Sequence, residues 1–131
     1  LQWTNWAVFD TLTIKLDRAP TQQLPENNKA VIDWRVGGEY QLNPSTVLRA
    51  GVLAHKGASP DENVTPNLPE GSRTEFTAGF GTRLTPMLGF DFALQYIDQA
   101  DRRGRSGPPG PNDGLYAFSA YLVGASFVYR F

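Results

Sequence analysis

AYLVGASFVYRF, residues 120–131, is the stretch that decides the fold class of this chain. Counting back from Phe131, every second side chain is apolar or aromatic. Because a β-strand projects alternate side chains to opposite faces, this stretch predicts a strand with one continuous apolar face. Soluble domains normally bury such a strand. The other segments of the sequence therefore decide whether protein or lipid covers this apolar face.

The last residues of this strand carry a second signal. Phe127, Tyr129 and Phe131 form the ending that is typical of β-barrels in the outer membrane of Gram-negative bacteria. We expect these three residues to be the assembly signal for the barrel-assembly machinery. No apolar run in the chain approaches the roughly 20 residues that a membrane helix needs. Because lipid leaves unpaired backbone groups without partners, strands that cross it must form a closed barrel.

Composition excludes several other classes of protein. The net charge of -1 gives no electrostatic basis for binding nucleic acid. The absence of cysteine excludes disulfides and thiolate zinc sites. His55 is the single histidine, with no second ligand at a metal-like spacing and no nucleophile motif. The sequence therefore predicts no enzyme activity, no cofactor and no metal site.

Alternation with a period of two recurs along the whole chain. It is clearest from Arg73 to Leu84, where even positions are apolar or threonine and odd positions carry charge, threonine or glycine. Asp10 would lie on the apolar face of the first strand and cost roughly 2 kcal/mol or more in lipid, so we expect an interruption there. The six predicted strands are 3–16, 30–42, 46–55, 73–84, 88–98 and 120–131.

The connections between these strands alternate in length. Residues 43–45 and 85–87 are tight turns, whereas residues 17–29, 56–72 and 99–116 are long and rich in turn formers. Short periplasmic turns and long extracellular loops are the pattern of outer-membrane barrels. Placing Phe131 at the periplasmic side makes both tight turns periplasmic, so the two signals agree. The first strand then has Trp3 near the periplasmic rim.

A soluble sandwich or lipocalin-like barrel also alternates. Its buried face would have to accommodate large apolar side chains along all six strands. Its solvent face would be rich in glycine and arginine and nearly free of lysine, which is unusual for a soluble surface. A water-filled lumen lined by charged groups explains this polar face better.

The polar face predicts the lumen wall and its candidate contacts to a solute. These candidates are Asp33, Arg35, Glu39, Arg49, His55, Arg73, Glu75, Arg83, Asp91 and Gln95. If Leu42 pairs with Thr46, then Glu39 faces Arg49 and Asp33 faces His55 across the ladder.

Arg83 is expected diagonally opposite Asp91, again on the lumen side. These groups either hold the wall together by ion pairs or form a charged path for a solute. Asp61 and Glu62 lie in a proline-rich loop and are expected to solvate that loop or to form turns.

Two segments make the chain resemble a known family. The hairpin VGGEYQLN (36–43) with LRAGV (48–52), and the loop SPDENVTPNLPEGSR (59–73), are similar to those of the FadL-type outer-membrane transporters. The ending YRF (129–131) also matches, and the resemblance covers about 6–131. It implies a barrel of about fourteen strands with an N-terminal plug. Residues 1–131 would be the C-terminal part of this one domain, without the plug and the early strands, and would form an open, curved sheet when alone.

The resemblance also implies a function. The family passively transports long-chain fatty acids or other hydrophobic small molecules through the outer membrane, in contact with membrane lipid and lipopolysaccharide. Lys29 is the nearest candidate for contact with a substrate head group. Arg102, Arg103 and Arg105 either contact lipopolysaccharide phosphates or are solvated. A porin-like channel for polar solutes and a structural or adhesion barrel remain as alternatives.

Overall fold

The structure, a computed structural model, describes residues 1–9, 11–17, 19–64, 70–104 and 114–131. These residues form β-strands and two 3-10 helices (Trp6–Val8 and Asp61–Asn63), without an α-helix. Within the described part of the chain, no helix is long and apolar enough to cross a membrane. The strands are β1 (Gln2–Thr4), β2 (Thr11–Leu16), β3 (Ala19–Pro25), β4 (Val31–Asn43), β5 (Thr46–His55), β6 (Arg73–Arg83), β7 (Leu88–Arg103) and β8 (Leu115–Tyr129).

Six of the strands form one sheet in the order β1-β4-β5-β6-β7-β8, so that β1 and β8 are its edges. From β4 onward, neighbours in the sheet are also neighbours in sequence, as expected of successive antiparallel hairpins. The prediction of an all-β, open antiparallel sheet of six strands is confirmed. Strands β2 and β3 form a separate two-stranded sheet.

The predicted first strand, 3–16, is wrong as a single element. Strand β1 ends at Thr4, a 3-10 helix follows, and β2 pairs with β3 instead of β4. Trp3 pairs with Ile32, near the loop end of β4, so the prediction that Trp3 lies near the periplasmic rim is also wrong. A 3-10 helix at Trp6–Val8 separates β1 from β2, and Asp10, where the interruption was expected, lies outside the described residues. The β2–β3 hairpin satisfies its backbone groups locally and occupies part of the predicted loop 17–29.

The later strands follow the sequence pattern closely. Strand β5 has the predicted bounds, β4 is shifted by one residue at both ends, and β6 ends one residue earlier than predicted. Strand β7 continues to Arg103 and has 16 residues, although the pattern placed its end at Asp98. Since about 9–11 residues suffice to cross a bilayer as a tilted strand, part of β7 extends beyond the hydrocarbon region.

The β4–β5 hairpin has the predicted register except at its turn. Glu39 pairs with Arg49, but a bulge after Gln41 makes Asn43, and not Leu42, the partner of Thr46. The side chain of Asn43 is the reason, since its Oδ1 accepts hydrogen bonds from both N and Oγ of Ser45 at 2.9 Å. This is an Asx turn: the last residue of β4 also closes the turn through its side chain.

The chain divides into two compact units. The loop unit comprises Leu1–Asp33, His55–Arg73 and Gln99–Phe118, and the wall unit comprises Trp34–Ala54, Thr74–Asp98 and Ser119–Phe131. Among the described residues, the buried apolar side chains all belong to the loop unit; they are Val31, Ala58 and Val64. The wall unit, which holds the long strands, therefore has no buried apolar core in its described part.

The wall unit instead exposes its apolar side chains. Trp34 is 63% exposed, Tyr40 67% and Phe127 68%, whereas Glu75 is buried at 8%. The rings of Phe90 and Phe127 lie 4.9 Å apart, so the odd positions of β8 share a face with the even positions of β7. This is the reverse of a soluble sandwich, in which that face would be the core. The predicted continuous apolar face is therefore present.

Candidate functional site

The polar face of the wall unit surrounds a concavity of about 990 Å³. Glycine, alanine and aliphatic residues of β4–β8 line much of it, which leaves room and keeps most of the lining apolar. The predicted lumen residues found in this lining are Arg35, Glu39, Arg49, Glu75, Asp91 and Gln95. The structure therefore gathers most of the predicted polar positions on one surface, and their contact with a solute remains a prediction.

A chain of charges crosses this surface from β4 to β7. Nε of Arg49 donates to Oε2 of Glu39 at 2.8 Å, and its Nη1 donates to Oδ1 of Asp91 at 3.3 Å. The first pair is the one predicted from the hairpin register. All three side chains are about half exposed, so water screens these ion pairs. Arg49 is thereby flanked by two carboxylates and offers no isolated positive charge.

Gly81 on β6 makes the longer of these contacts possible. A Cβ atom at Gly81 would lie 2.5 Å from Oδ1 of Asp91 and 3.1 Å from Nη1 of Arg49. Any side chain there would displace the ion pair that passes over β6. The ion pair between Arg49 on β5 and Asp91 on β7 therefore requires a residue without a side chain at position 81.

Arg83 makes a contact that the sequence did not predict. Its Nη2 donates to the carbonyl oxygen of Pro44 at 2.6 Å, whereas the ion pair of Asp91 is with Arg49. The expected diagonal placement of Arg83 and Asp91 stays a prediction, and the ion pair of Asp91 is made by Arg49, which reaches that carboxylate over Gly81. Arg83 instead stabilises the tight turn between β4 and β5.

A hydrogen bond between the side chains of Glu75 and Gln95 connects β6 with β7. Nε2 of Gln95 donates to Oε2 of Glu75 at 2.5 Å, which gives the buried carboxylate a donor. On the other side of β6, Oγ1 of Thr77 donates to the carbonyl of Gly51 at 3.2 Å. Side chains on the polar face thus add bonds between strands to those of the backbone ladder.

The other candidates lie in the loop unit, where His55 is held between two carboxylates. Its Nδ1 lies 2.7 Å from Oδ1 of Asp33, and its Nε2 lies 3.1 Å from Oε1 of Glu70. The three side chains are 9%, 8% and 19% exposed for His55, Asp33 and Glu70. The pairing of Asp33 with His55 was predicted from the register, whereas Glu70 was not foreseen.

Glu70 also organises the segment between β5 and β6. Its carboxylate accepts hydrogen bonds from the backbone N–H groups of Ala58 at 3.1 Å and Ser59 at 3.2 Å. Asp61, for which a turn was one of two expectations, begins the 3-10 helix Asp61–Asn63 and pairs with Arg102 at 2.8 Å. The side chain of Glu62 lies outside the described part of the structure. Glu70 is the residue that the sequence did not reveal, because its partners are set by the loop fold and not by strand alternation.

Arg102, near the end of β7, is the cationic group that contacts this segment. Its Nη2 donates to the carbonyl of Ser59 at 2.8 Å, and its Nη1 donates to the carbonyl of Glu70 at 3.3 Å. The side chain is 15% exposed, so its guanidinium is engaged within the protein and is not open to lipopolysaccharide. Arg103 is exposed, and Arg105 lies outside the described residues.

Two further candidates lie near these groups. The backbone N–H of Lys29 donates to the carbonyl of Ala58 at 3.0 Å, and its side chain is exposed. Arg73 is half-buried at the start of β6. Their roles toward a substrate remain predictions.

The carboxylates beside His55 do not converge on a common point, because they use opposite nitrogens of the ring. In the described residues, no group of three or more histidine or acidic side chains is arranged to hold a metal ion. The arrangement instead forms a linear chain of hydrogen bonds from β4 through β5 to the segment before β6.

Comparison with known proteins agrees with this architecture. The sequence matches the family described as "Outer membrane protein transport protein (OMPP1/FadL/TodX)" over residues 1–131. The crystal structure of a Pseudomonas aeruginosa FadL homologue superposes with a TM-score of 0.79 at 22% identity, which shows a shared fold. This similarity covers 97% of the chain and 30% of the homologue, so the chain spans less than a third of its length. No protein with a curated description matches the sequence.

Proposed function

Because the chain belongs to the OMPP1/FadL/TodX family of outer-membrane transport proteins, we propose that it takes part in passive passage of hydrophobic compounds through the outer membrane. Long-chain fatty acids are the substrates that we propose first. The chain contributes wall strands and outer loops, and transport requires no chemical step from its residues. Its location is the outer membrane, as for the family.

The observation that carries this proposal is the inverted polarity of the wall unit. Large apolar side chains are exposed along one face, while charged groups and the concavity occupy the other. A face of this kind is stable against lipid, and the opposite face suits a lumen. The apolar lining of the concavity gives a hydrophobic solute contact area that a plain water-filled channel would not provide.

We also propose that residues 1–131 are the C-terminal part of a single barrel domain. The sheet has two edge strands, and beyond Asp33 the only neighbour of β4 among the described residues is β5. Since lipid leaves no partners for free strand edges, further strands must close this wall in the membrane. The coverage of 30% of the Pseudomonas aeruginosa homologue is consistent with this proposal.

Uptake by cells tests the proposal. Full-length protein, expressed in a Gram-negative strain that lacks its own fatty-acid transporter, should restore uptake of a radiolabelled long-chain fatty acid. Gly124 lines the concavity, and a Cβ atom at this position would meet no other atom within 4 Å, so Gly124→Trp should fit into the lumen and reduce uptake severalfold. Leu48→Trp is the matched control, because Leu48 is 41% exposed on the apolar face and does not line the concavity.

The alternatives give different results in the same system. A porin-like channel would swell liposomes in sugar solutions, whereas a transporter of hydrophobic compounds should cause almost no swelling. An adhesion barrel would show no uptake and would lose surface binding when residues 57–71 are trimmed. Equal uptake in Gly124→Trp and Leu48→Trp would contradict passage along this concavity.

A further inference from the structure

We propose that Asp33, His55 and Glu70 form a proton-dependent latch, the His55 latch. It fastens the described part of the segment between β5 and β6 (residues 56–64 and 70–72, the β5–β6 segment) to strand β4. The distances are 2.7 Å from His55 to Asp33 and 3.1 Å from His55 to Glu70. All three side chains are mostly shielded from water. The inference goes beyond transport itself, since it concerns how the outer loops are held.

The donor count of the imidazole ring is the basis of the latch. A neutral histidine has one N–H donor and one lone pair, whereas the protonated ring donates from both nitrogens. An ionised carboxylate only accepts, so two carboxylates facing the two ring nitrogens are both satisfied when the ring is doubly protonated. Loss of one proton turns one of these bonds into a contact between two acceptors.

The latch connects separate elements of the loop unit. Asp33 lies on β4, His55 ends β5, and Glu70 precedes β6. Glu70 in turn accepts the N–H groups of Ala58 and Ser59, so these two amides share its carboxylate with the ring. When the bond from His55 to Glu70 fails, the segment from Gly57 to Ser59 loses part of its anchorage.

Two further charged groups contact this network's segment. Asp61 lies in the β5–β6 segment and pairs with Arg102, which lies near the end of β7, while Lys56 and Arg73 are neighbours of the network in sequence. Arg102 contacts the backbone carbonyl of Glu70 and the carboxylate of Asp61, so it holds the same segment without depending on the histidine proton. The structure therefore predicts loosening at higher pH and not complete release.

Amide hydrogen exchange of the full-length protein in detergent micelles tests the latch. Protection of Ala58 and Ser59 is measured between about pH 5 and about pH 8, where histidine side chains change charge, and corrected for the intrinsic pH dependence of exchange. The latch predicts that protection falls by about tenfold or more as the pH rises. Constant protection over this range would overturn the proposal.

Two variants distinguish a latch from a merely structural histidine. In His55→Gln, protection should be low and independent of pH, because the proton has been removed from the network. In Asp33→Asn, the new amide can donate to the neutral ring, which still donates to Glu70, so protection should stay high throughout. A pH dependence in Asp33→Asn equal to that of the wild type would overturn the proposal.

A matched control and a folding check complete the experiment. Lys29→Gln changes an exposed charge beside the same segment and should leave the pH profile unchanged. Heat-modifiable migration in gels reports whether each variant has formed its barrel. If His55→Gln does not form a barrel, Asp33→Asn and the wild-type profile still decide the question.

Discussion

Arg102→Ala should selectively loosen the β5–β6 segment. The guanidinium donates to the backbone carbonyls of Ser59 and Glu70, its side chain is only 15% exposed, and it pairs with Asp61. Its removal leaves those two carbonyls without this donor. A hydrogen bond to a charged group contributes about 1.5–3 kcal/mol, although the 3.3 Å bond to Glu70 is at the long limit of useful geometry.

The expected size of the effect follows from these contacts. The bond to Ser59 and a weaker one to Glu70 together suggest about 2 to 3 kcal/mol of local stability. Asp61 is 55% exposed, so its ion pair adds little after solvent screening. Because each 1.4 kcal/mol is about tenfold, local opening should become roughly 30- to 150-fold more frequent.

Hydrogen exchange of peptides covering residues 56–64 and 70–72 measures this opening in the full-length protein. Arg103→Ala is the control, since Arg103 is adjacent in sequence but exposed. The turn at residues 43–46 belongs to the wall unit and serves as an internal reference. Equal exchange in Arg102→Ala and Arg103→Ala, or an equal increase at the reference turn, would refute the reasoning.

Three further predictions concern the wall unit. Gly81→Val should break the ion pair between Arg49 and Asp91, because the new side chain occupies the space that this pair crosses. Asp91→Asn should then no longer change the urea midpoint of the Gly81→Val protein. If Asp91→Asn changes the midpoint as much as it does in the wild type, the geometry is contradicted. Leu94→Arg places a charge on the lipid face near the bilayer centre and should lower the free energy of unfolding by about 2–4 kcal/mol, measured by urea unfolding from lipid vesicles. Ala93→Arg, on the lumen side, should lower it by about 1 kcal/mol or less. Equal losses for the two variants would contradict this orientation. Asn43→Ala should destabilise the β4–β5 hairpin by about 1 kcal/mol in the same assay, because the Asx turn is lost, and an unchanged midpoint would show that the turn does not need it.

The wall was largely predictable because alternation reports directly on a strand with two different faces. The pattern from Arg73 to Leu84 became β6, which ends at Arg83. The hairpin register followed from the turn near Pro44, and it brought Glu39 to Arg49 as predicted. These features depend on neighbours in sequence or on a single hairpin, which is why one sequence is enough to derive them.

The loop unit was less predictable because its contacts join residues far apart in sequence. Nothing in the pattern around Glu70 indicates that it faces His55, or that Arg102 reaches Ser59. The first strand failed for a related reason, since β2 pairs locally with β3 and does not continue the wall. Periodicity identifies a strand but does not identify its partner.

The most direct test of the account is the accessibility of β6 to lipid and to water. The 131 residues contain no cysteine, so single cysteines introduced from Glu75 to Phe80 can each carry a spin label at one site within them. In lipid vesicles, labels at Phe76, Ala78 and Phe80 should be most accessible to oxygen dissolved in the bilayer. Labels at Glu75, Thr77 and Gly79 should be most accessible to a water-soluble nickel complex. Opposite phases, or no alternation between neighbouring positions, would contradict a membrane wall with an apolar outer face and a polar lumen.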